Sequence, residues 1–264
     1  EFFGVKLAQQ LVEQGKQADL TTANNVLAHV PDINDFLRGF TIVLKSNGVS
    51  TFEFPHLLKL INENQFDTIY HEHFSYLSLL ALEVIFLKNG LQIFDVEEYS
   101  THGGSLRIFA QRFDTGIQPI SDRVIKLRKC EIEAGLNTED FYAGFQIKAD
   151  KVKNDLLAFL IQANQNGKKV AAYGAAAKGN TLLNYAGVRP DLLSYIVDKN
   201  PAKQGKYMPG SRIPIKAEQY LKDDKPDYII ILPWNLKKEV SSQLDYIEQW
   251  NGKLVISIPK MEFL

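Results

Sequence analysis

The residues best suited to chemistry are concentrated in one short stretch, Tyr70-His71-Glu72-His73-Phe74-Ser75-Tyr76, which we call the Tyr70–Tyr76 segment. It holds two imidazoles, a carboxylate and two phenols. Packing does not call for this combination, because imidazoles and carboxylates are usually exposed, or paired when they are buried. A histidine reaches a pKa near the working pH with little tuning, which suits general acid–base catalysis. Glu72 could orient an imidazole ring, and Tyr70 could donate a hydrogen bond to a developing oxyanion.

Two other interpretations apply to the same segment. A structural role would explain any one of its histidines taken alone. A metal site is the second, because His-x-His places two imidazoles on one side of an extended chain. The segment lacks the His-Glu-x-x-His spacing of zinc hydrolases, and we therefore predict no metal here. Glu53, His56 and His29 are the candidate neighbours of the segment.

Composition sets the class of protein. The 264 residues are 45% hydrophobic and 23% charged, and 30 basic residues against 31 acidic ones give a net charge of -1. No basic excess favours nucleic acid. No apolar run is long enough to span a bilayer, and no signal-peptide pattern is present. Cys130 is the only cysteine, so an intrachain disulfide is excluded. We expect a cytoplasmic protein, and its oligomeric state stays open.

The elements that must position these residues alternate between helix and strand, which predicts an α/β fold with a mostly parallel sheet. Helices are predicted at 3–14, 31–45, 77–88, 180–185 and 236–250, with a largely helical region from 116 to 166. Strands are predicted at 18–25, 49–54, 91–98, 105–112, 168–173, 193–197, 227–232 and 254–258, with a turn at Asn47-Gly48.

Two further segments follow predicted strands, at the edge where open α/β sheets bind ligands. Asn24 and Asn25 could present amide groups to a polar cofactor, or simply form a turn. The small-residue turn from Gly174 to Gly179 could bring backbone close to a phosphate, with Lys178 adding a charge. It departs from Gly-x-Gly-x-x-Gly at its second glycine, and the same small residues would also serve close helix–strand packing.

Taken together, these segments resemble the S-adenosylmethionine-dependent sugar C-methyltransferases, which methylate C-3 of a nucleotide-linked 4-keto deoxysugar. The resemblance covers nearly the whole chain. It is carried by residues 18–35, 53–58, 66–79, 102–107, 173–180, 197–201 and 232–235.

The resemblance implies a role for each matching residue. His73 matches the general base, with Tyr70 and Glu72 lining the reaction centre and His29 as a second active-site histidine. Asn24 and Asn25 would face S-adenosylmethionine. The substrate would be a nucleotide-linked keto sugar, bound by Lys178, Gly174 and Gly179.

The resemblance also implies a domain order. Residues 1–115 would be the later half of a class I, Rossmann-like methyltransferase domain, 116–166 a helical connection, and 167–264 a second Rossmann-like α/β domain. The family's N-terminal zinc domain and glycine-rich cofactor loop have no counterpart in this sequence, so we expect an N-terminally truncated chain that could be an inactive fragment. Zinc is expected only in that N-terminal domain.

Two other functions remain open at this stage. The glycine turn with Asp198, which ends the next strand where a ribose ligand is expected, would suit an NAD(P)-dependent oxidoreductase. A non-catalytic nucleotide-sugar binding module is the second alternative.

Overall fold

Helices and strands alternate along most of the chain, which confirms the predicted α/β class. The structure is a computed structural model that describes all 264 residues. The chain divides into two compact units, each with its own hydrophobic core. The first unit comprises Glu1–Asn62 and His71–Ala143, and the second comprises Glu63–Tyr70 and Gly144–Leu264.

The first unit is built on a four-stranded mixed sheet. Its elements are α1 (Val5–Glu13), β1 (Ala18–Asn24), α2 (Ile33–Val43), β2 (Leu44–Pro55), α3 (Leu57–Asn62), α4 (Leu79–Lys88), β3 (Leu91–Tyr99), β4 (Ser105–Arg112), α5 (Asp122–Ala134) and α6 (Asp140–Ala143). The strand order is β1-β2-β4-β3, with β1 parallel to β2 and the other pairs antiparallel. The core lies between the sheet and its helices and includes Phe52, Phe54 and Phe86, which are fully buried.

Local capping explains where the helices next to the candidate site begin. The Asp32 carboxylate accepts hydrogen bonds from the backbone N–H groups of Asn34 and Asp35, at 3.0 and 2.9 Å, and thereby caps α2. The Ser78 hydroxyl accepts from the N–H of Ala81 at 3.2 Å and caps α4. Each cap satisfies N–H groups that have no partner within their own helix.

The predicted turn at Asn47-Gly48 is wrong, because β2 runs through it. The pairing of β1 with β2 shifts here, from Ala18 opposite Leu44 to Leu20 opposite Val49, so the strand bulges instead of turning. A Cβ atom at Gly48 would lie 2.8 Å from the carbonyl oxygen of Ala18. Glycine therefore serves close strand approach at this position.

The second unit has a six-stranded sheet. Its elements are α7 (Phe145–Gln165), β5 (Val170–Tyr173), α8 (Ala177–Tyr185), β6 (Ile196–Val197), β7 (Ile215–Lys216), α9 (Tyr220–Asp224), β8 (Tyr228–Ile231), α10 (Lys237–Gln243), β9 (Lys253–Ile256) and β10 (Glu262–Phe263), with 3-10 turns at Phe66–Thr68, Trp234–Leu236 and Asp245–Trp250. The order is β10-β9-β8-β5-β6-β7, parallel except for β10.

This order places a topological switch point between β5 and β8. From β5 the chain moves outward to β6 and β7 on one side and then returns to β8 on the other side. In open α/β sheets of this Rossmann type, the crevice beyond the carboxyl ends of two such strands is the usual ligand site. The segments that follow these two strands begin at Gly174 and Leu232.

Two boundaries differ from the sequence expectation. Helix α8 begins at Ala177, three residues before the predicted start, so Lys178 and Gly179 lie in its first turn. The predicted helical region at 116–166 does not form a single connection. Residues up to Ala143 belong to the first unit, and residues from Gly144 onward belong to the second. None of the helices combines the length and the apolar character needed to cross a bilayer.

Candidate active site

Two histidines of the first unit pack against each other just beyond the carboxyl end of β1. The chain leaves β1 at Asn24 and enters a 3-10 turn, Leu27–His29. The ring centroids of His29 and His73 are 4.7 Å apart, and the ring of Tyr76 lies edge-on to His73 at 6.0 Å. The carbonyl oxygen of Ala28 accepts hydrogen bonds from the N–H groups of Phe74 and Ser75, at 2.8 and 3.2 Å. The backbone therefore holds the two histidine-bearing segments side by side.

The hydrogen bond of His29 determines which of its nitrogens is basic. Its Nδ1 lies 3.0 Å from the backbone carbonyl oxygen of Glu72. A carbonyl oxygen only accepts, so Nδ1 carries a proton and donates it. In the neutral ring the lone pair is then on Nε2, which makes His29 a second candidate base.

Glu72, which could orient an imidazole ring, lies beside His29. Its Oε1 is 3.8 Å from Nδ1 of His29, and the Glu72 side chain is 69% exposed. The carboxylate therefore lies near the His29 ring, with its charge largely screened by solvent. Tyr70 is half-buried and belongs to the second unit, whereas His71 to Tyr76 belong to the first.

Asn24 and Asn25 are exposed at the end of β1, and neither amide side chain forms a hydrogen bond within the chain. The backbone of Asn25 is left-handed, with φ 56°, a conformation that asparagine tolerates better than most residues. Its N–H donates to the carbonyl oxygen of Glu53 at 2.7 Å. The two side-chain amides are thus available to a polar ligand, as the cofactor prediction requires.

The side chains of two expected neighbours of the Tyr70–Tyr76 segment are paired with residues outside the segment. The His56 backbone pairs with Leu77, the residue that follows the segment, but its ring is buried and its Nε2 lies 2.7 Å from Oε1 of Glu131. The Glu53 carboxylate accepts from Arg107 at 2.7 Å and from the Thr101 hydroxyl at 3.3 Å. Neither group is available for proton transfer to a ligand.

In the second unit, packing alone explains both glycines of the small-residue turn. Gly174 has φ +91°, and a Cβ there would lie 2.6 Å from Cδ of Pro233. A Cβ at Gly179 would lie 2.7 Å from the Leu232 side chain. These glycines let the start of α8 lie directly against the segment that follows β8.

Lys178 is the charged residue at the switch point. Its Nζ donates to Oδ1 of Asn235 at 3.2 Å and lies 4.5 Å from the centre of the Trp234 ring. Burial lowers the pKa of this ammonium group, and the Asp67 carboxylate partly opposes the shift. Helix α8 has no side-chain cap. A cation beside an uncapped helix start is a favourable place for an anion.

Both carboxylate oxygens of Asp198 already accept hydrogen bonds within the chain, so neither is free to bind a ribose hydroxyl. Its Oδ2 accepts from the N–H of Ala175 at 2.8 Å and from Nζ of Lys203 at 3.1 Å, while its Oδ1 accepts from the N–H of Asn200 at 2.8 Å. Both oxygens thus serve to fix the loops after β5 and β6. This weakens the case for a nicotinamide-dependent oxidoreductase.

Asp67 and Trp234 form a buried pair that residue-level reasoning missed. The indole Nε1 of Trp234 donates to Oδ2 of Asp67 at 2.8 Å, and Asp67 is completely buried. The available signal was Trp234, one of only two tryptophans, which lies three residues after the strand at the switch point. Asp67 gave no signal, because the two residues are 167 positions apart.

Neither a metal site nor the cavity in the first unit coincides with the candidate sites described above. No three His, Cys, Asp or Glu side chains are grouped as metal ligands. A cavity of about 560 Å³ between β3 and α5 is lined by Tyr99, Arg123 and Cys130, among others, and contains none of the predicted site residues.

Comparison with known proteins identifies the class. Residues 100–259 match the C-methyltransferase C-terminal domain, and residues 3–96 match a methyltransferase domain. The chain is 33% identical over 261 residues to C-methyltransferase NovU from Streptomyces niveus, covering 98% of this chain and 61% of that relative. The chain belongs to the C-methyltransferase family.

Solved structures give only slight likenesses. An S-adenosylmethionine-dependent methyltransferase from Listeria monocytogenes is 16% identical over 37% of this chain and 62% of its own, with a TM-score of 0.29. Magnesium protoporphyrin IX methyltransferase from Synechocystis PCC 6803 is 16% identical over 39% of this chain and 48% of its own, with a TM-score of 0.30. Likenesses at this level carry no argument about the chain.

Proposed function

We propose that the intact protein transfers a methyl group from S-adenosylmethionine to C-3 of a nucleotide-linked 4-keto deoxysugar. The observation that carries the proposal is the pair of His29 and His73, packed together beyond the end of β1. Family membership and the name of the NovU relative support methylation at carbon. The chain spans 61% of that relative's length, so the reaction is proposed for the intact protein.

The chemistry explains why basic residues are needed. Carbon becomes nucleophilic when a proton beside a ketone is removed, and the negative charge then rests on the ketone oxygen. His73 would take that proton, and Tyr70 would donate a hydrogen bond to the oxygen. His29 would hold the His73 ring in place by packing against it. Each of these roles is positional or electrostatic, and none needs a protein nucleophile.

Asn24 and Asn25 fit the cofactor's place in this scheme, because their unpaired amides are exposed at a strand end. When bound, S-adenosylmethionine supplies the activated methyl group. Lys178, beside the uncapped start of α8, would bind the substrate phosphates. Gly174 and Gly179 would contribute by keeping that helix start close to the segment after β8.

Deuterium exchange tests the proton-abstraction step separately from methyl transfer. Incubating the intact protein with a nucleotide-linked 4-keto deoxysugar in D₂O, without cofactor, is expected to exchange the proton at C-3, as followed by NMR. Adding S-adenosylmethionine should then give a product heavier by one methylene group. Exchange at no carbon, together with no product, would contradict the proposal.

A further inference from the structure

A buried carboxylate outside the proposed catalytic set lies within the second unit, three residues before Tyr70. Asp67 is fully buried, and its Oδ2 accepts the hydrogen bond from Trp234 at 2.8 Å. Its Oδ1 has no hydrogen-bond partner. A buried, half-satisfied carboxylate is costly, and an apolar residue of similar size would pack at least as stably. The cost calls for an explanation other than stability.

The stretch around Asp67 supplies that explanation. Residues 63–70 belong to the second unit, although residues on both sides of this stretch belong to the first. The Phe66 side chain enters the second unit's core and packs against the Tyr185 ring at 5.3 Å. The Asn64 amide donates to the carbonyl oxygen of Lys148 at 3.0 Å. The stretch ends at Tyr70, three residues after Asp67.

The bond from Trp234 to Asp67 differs from these other attachments in its directionality. Apolar contact such as that of Phe66 tolerates sliding and rotation, whereas an N–H···O bond to a carboxylate constrains distance and direction. Trp234 is itself held, because it lies three residues after the end of β8 and the Lys178 ammonium lies over its ring. The carboxylate therefore fixes the 3-10 turn Phe66–Thr68 relative to the end of β8.

We propose that Asp67 and Trp234 are positioning residues for the methyl-transfer reaction, whose hydrogen bond sets the course of the main chain into Tyr70. The inference rests on the proposed function. In this proposal neither Asp67 nor Trp234 needs to contact substrate or cofactor or to transfer a proton. They act through Tyr70, whose hydroxyl is the proposed hydrogen-bond donor to the developing negative charge.

The two tryptophans of the chain provide a matched pair of variants. Trp250 lies in the same unit, and its Nε1 donates to the backbone carbonyl oxygen of Pro226 at 3.0 Å. Trp234→Phe and Trp250→Phe each remove one indole N–H and keep an aromatic ring. Only the first removes a bond to the stretch that leads into Tyr70.

Kinetics of the intact protein supply the first measurement. Because small misplacements of a catalytic group are costly, Trp234→Phe is expected to lower kcat about tenfold or more while cofactor affinity stays within about twofold. Trp250→Phe should keep the wild-type kcat. Asp67→Asn retains an acceptor oxygen for Trp234 and should retain most of the kcat, whereas Asp67→Ala should behave like Trp234→Phe. Equal losses of kcat in the two tryptophan variants would overturn the proposal.

Hydrogen exchange supplies a measurement that does not depend on activity. The N–H groups of Thr68 and Ile69 donate to the carbonyl oxygens of Gln65 and Phe66, at 3.1 and 3.0 Å. Loss of the anchoring bond should speed their exchange about tenfold in Trp234→Phe and leave it unchanged in Trp250→Phe. Unchanged exchange in Trp234→Phe would overturn the positioning role itself. A wild-type protein without turnover, but with the expected exchange contrast, would instead overturn the proposed function on which the inference rests.

Discussion

At the scale of single residues, the proposed chemistry depends on which of two packed histidines takes the proton. His29 and His73 differ in their surroundings. His29 has its Nδ1 bonded to a backbone carbonyl oxygen and a carboxylate 3.8 Å away, so its ring is oriented by fixed neighbours. His73 lies between the rings of His29 and Tyr76. The arrangement suits His73 as the base and His29 as the group that supports it.

His73→Asn in the intact protein is therefore expected to abolish turnover and leave cofactor affinity nearly unchanged. Loss of a general base costs about 10²–10⁴-fold in rate. Methyl-transfer kinetics and calorimetry with S-adenosylmethionine provide the two measurements. His71→Asn is the matched control, because His71 is exposed and the ring that packs against His29 is that of His73. Near wild-type turnover in His73→Asn would transfer the role to His29.

We expect the proposed binding of the substrate phosphates to depend on Lys178. Lys178→Ala should raise the KM for the nucleotide-linked sugar with little change in kcat, because a phosphate contact distant from the reacting carbon is the same in ground state and transition state. Lys253→Ala is the control, since Lys253 is exposed at the amino end of β9, on the opposite edge of the sheet. A kcat loss without a KM change would assign Lys178 a role in the reaction step instead.

At the scale of elements, helix α4 depends on a carboxylate from a distant part of the chain. Glu131, on α5, is fully buried and accepts hydrogen bonds from the N–H groups of Leu79 and Leu80, at 2.8 and 2.9 Å. The same carboxylate lies 2.7 Å from Nε2 of His56. It thus satisfies the start of α4, the helix that directly follows the Tyr70–Tyr76 segment.

Glu131→Ala is expected to destabilise the protein by about 3–5 kcal/mol, because buried N–H groups and the His56 ring lose their common partner. Glu133→Ala on the same helix is the control. Its side chain is 65% exposed and faces Lys129 at 3.6 Å, so the change should be about 0.5 kcal/mol or less. Urea unfolding measures both variants. Equal midpoints for the two would contradict a structural role of the buried carboxylate.

Sequence periodicity was sufficient for most elements, and the tertiary pairings that it missed share one physical cause. Helices with a local cap, such as α2 with Asp32, were placed correctly because the cap lies next to the helix it serves. The pairing of Glu131 with α4, and of Trp234 with Asp67, joins residues more than fifty positions apart, and no local pattern encodes either one. The turn at Asn47-Gly48 failed because glycine there serves strand approach.

The candidate site was predictable to a similar extent. The residue types of the Tyr70–Tyr76 segment were sufficient to identify it from the local sequence. The hydrogen bonds from Phe74 and Ser75 to Ala28 place His29 beside it. The sequence did not reveal that the His56 ring is paired, because nothing in the local sequence indicates that its partner is Glu131. Residue type therefore identified the groups, whereas tertiary contacts decided which of them meet.

At the scale of the whole molecule, the buried Asp67 carboxylate should make the stability of the fold depend on pH. Burial raises the pKa of Asp67 from 3.8 to about 6, although the hydrogen bond from Trp234, the charge of Lys178 and a backbone hydrogen bond act in the opposite direction. Below pH 3.8 the carboxyl group is protonated in folded and unfolded protein alike. Between pH 3.8 and 6 the unfolded chain loses the proton first, so ionisation favours unfolding. A difference of about two pKa units corresponds to on the order of 3 kcal/mol.

Asp67→Asn, which cannot ionise, should therefore gain stability relative to wild type as pH rises from 4 to 7, by on the order of 3 kcal/mol in the free energy of unfolding. Asp227→Asn is the control with the opposite sign. The hydrogen bond from Lys168 lowers the pKa of Asp227, so its contribution is present above the ordinary pKa and is lost as the pH falls through the folded-state value. Urea unfolding at several pH values between 3 and 8 measures both differences. If the difference in the free energy of unfolding between Asp67→Asn and wild type were constant across that range, the pKa of Asp67 would be the same in the folded and the unfolded chain. The buried carboxylate inferred from the structure would then be solvated in solution.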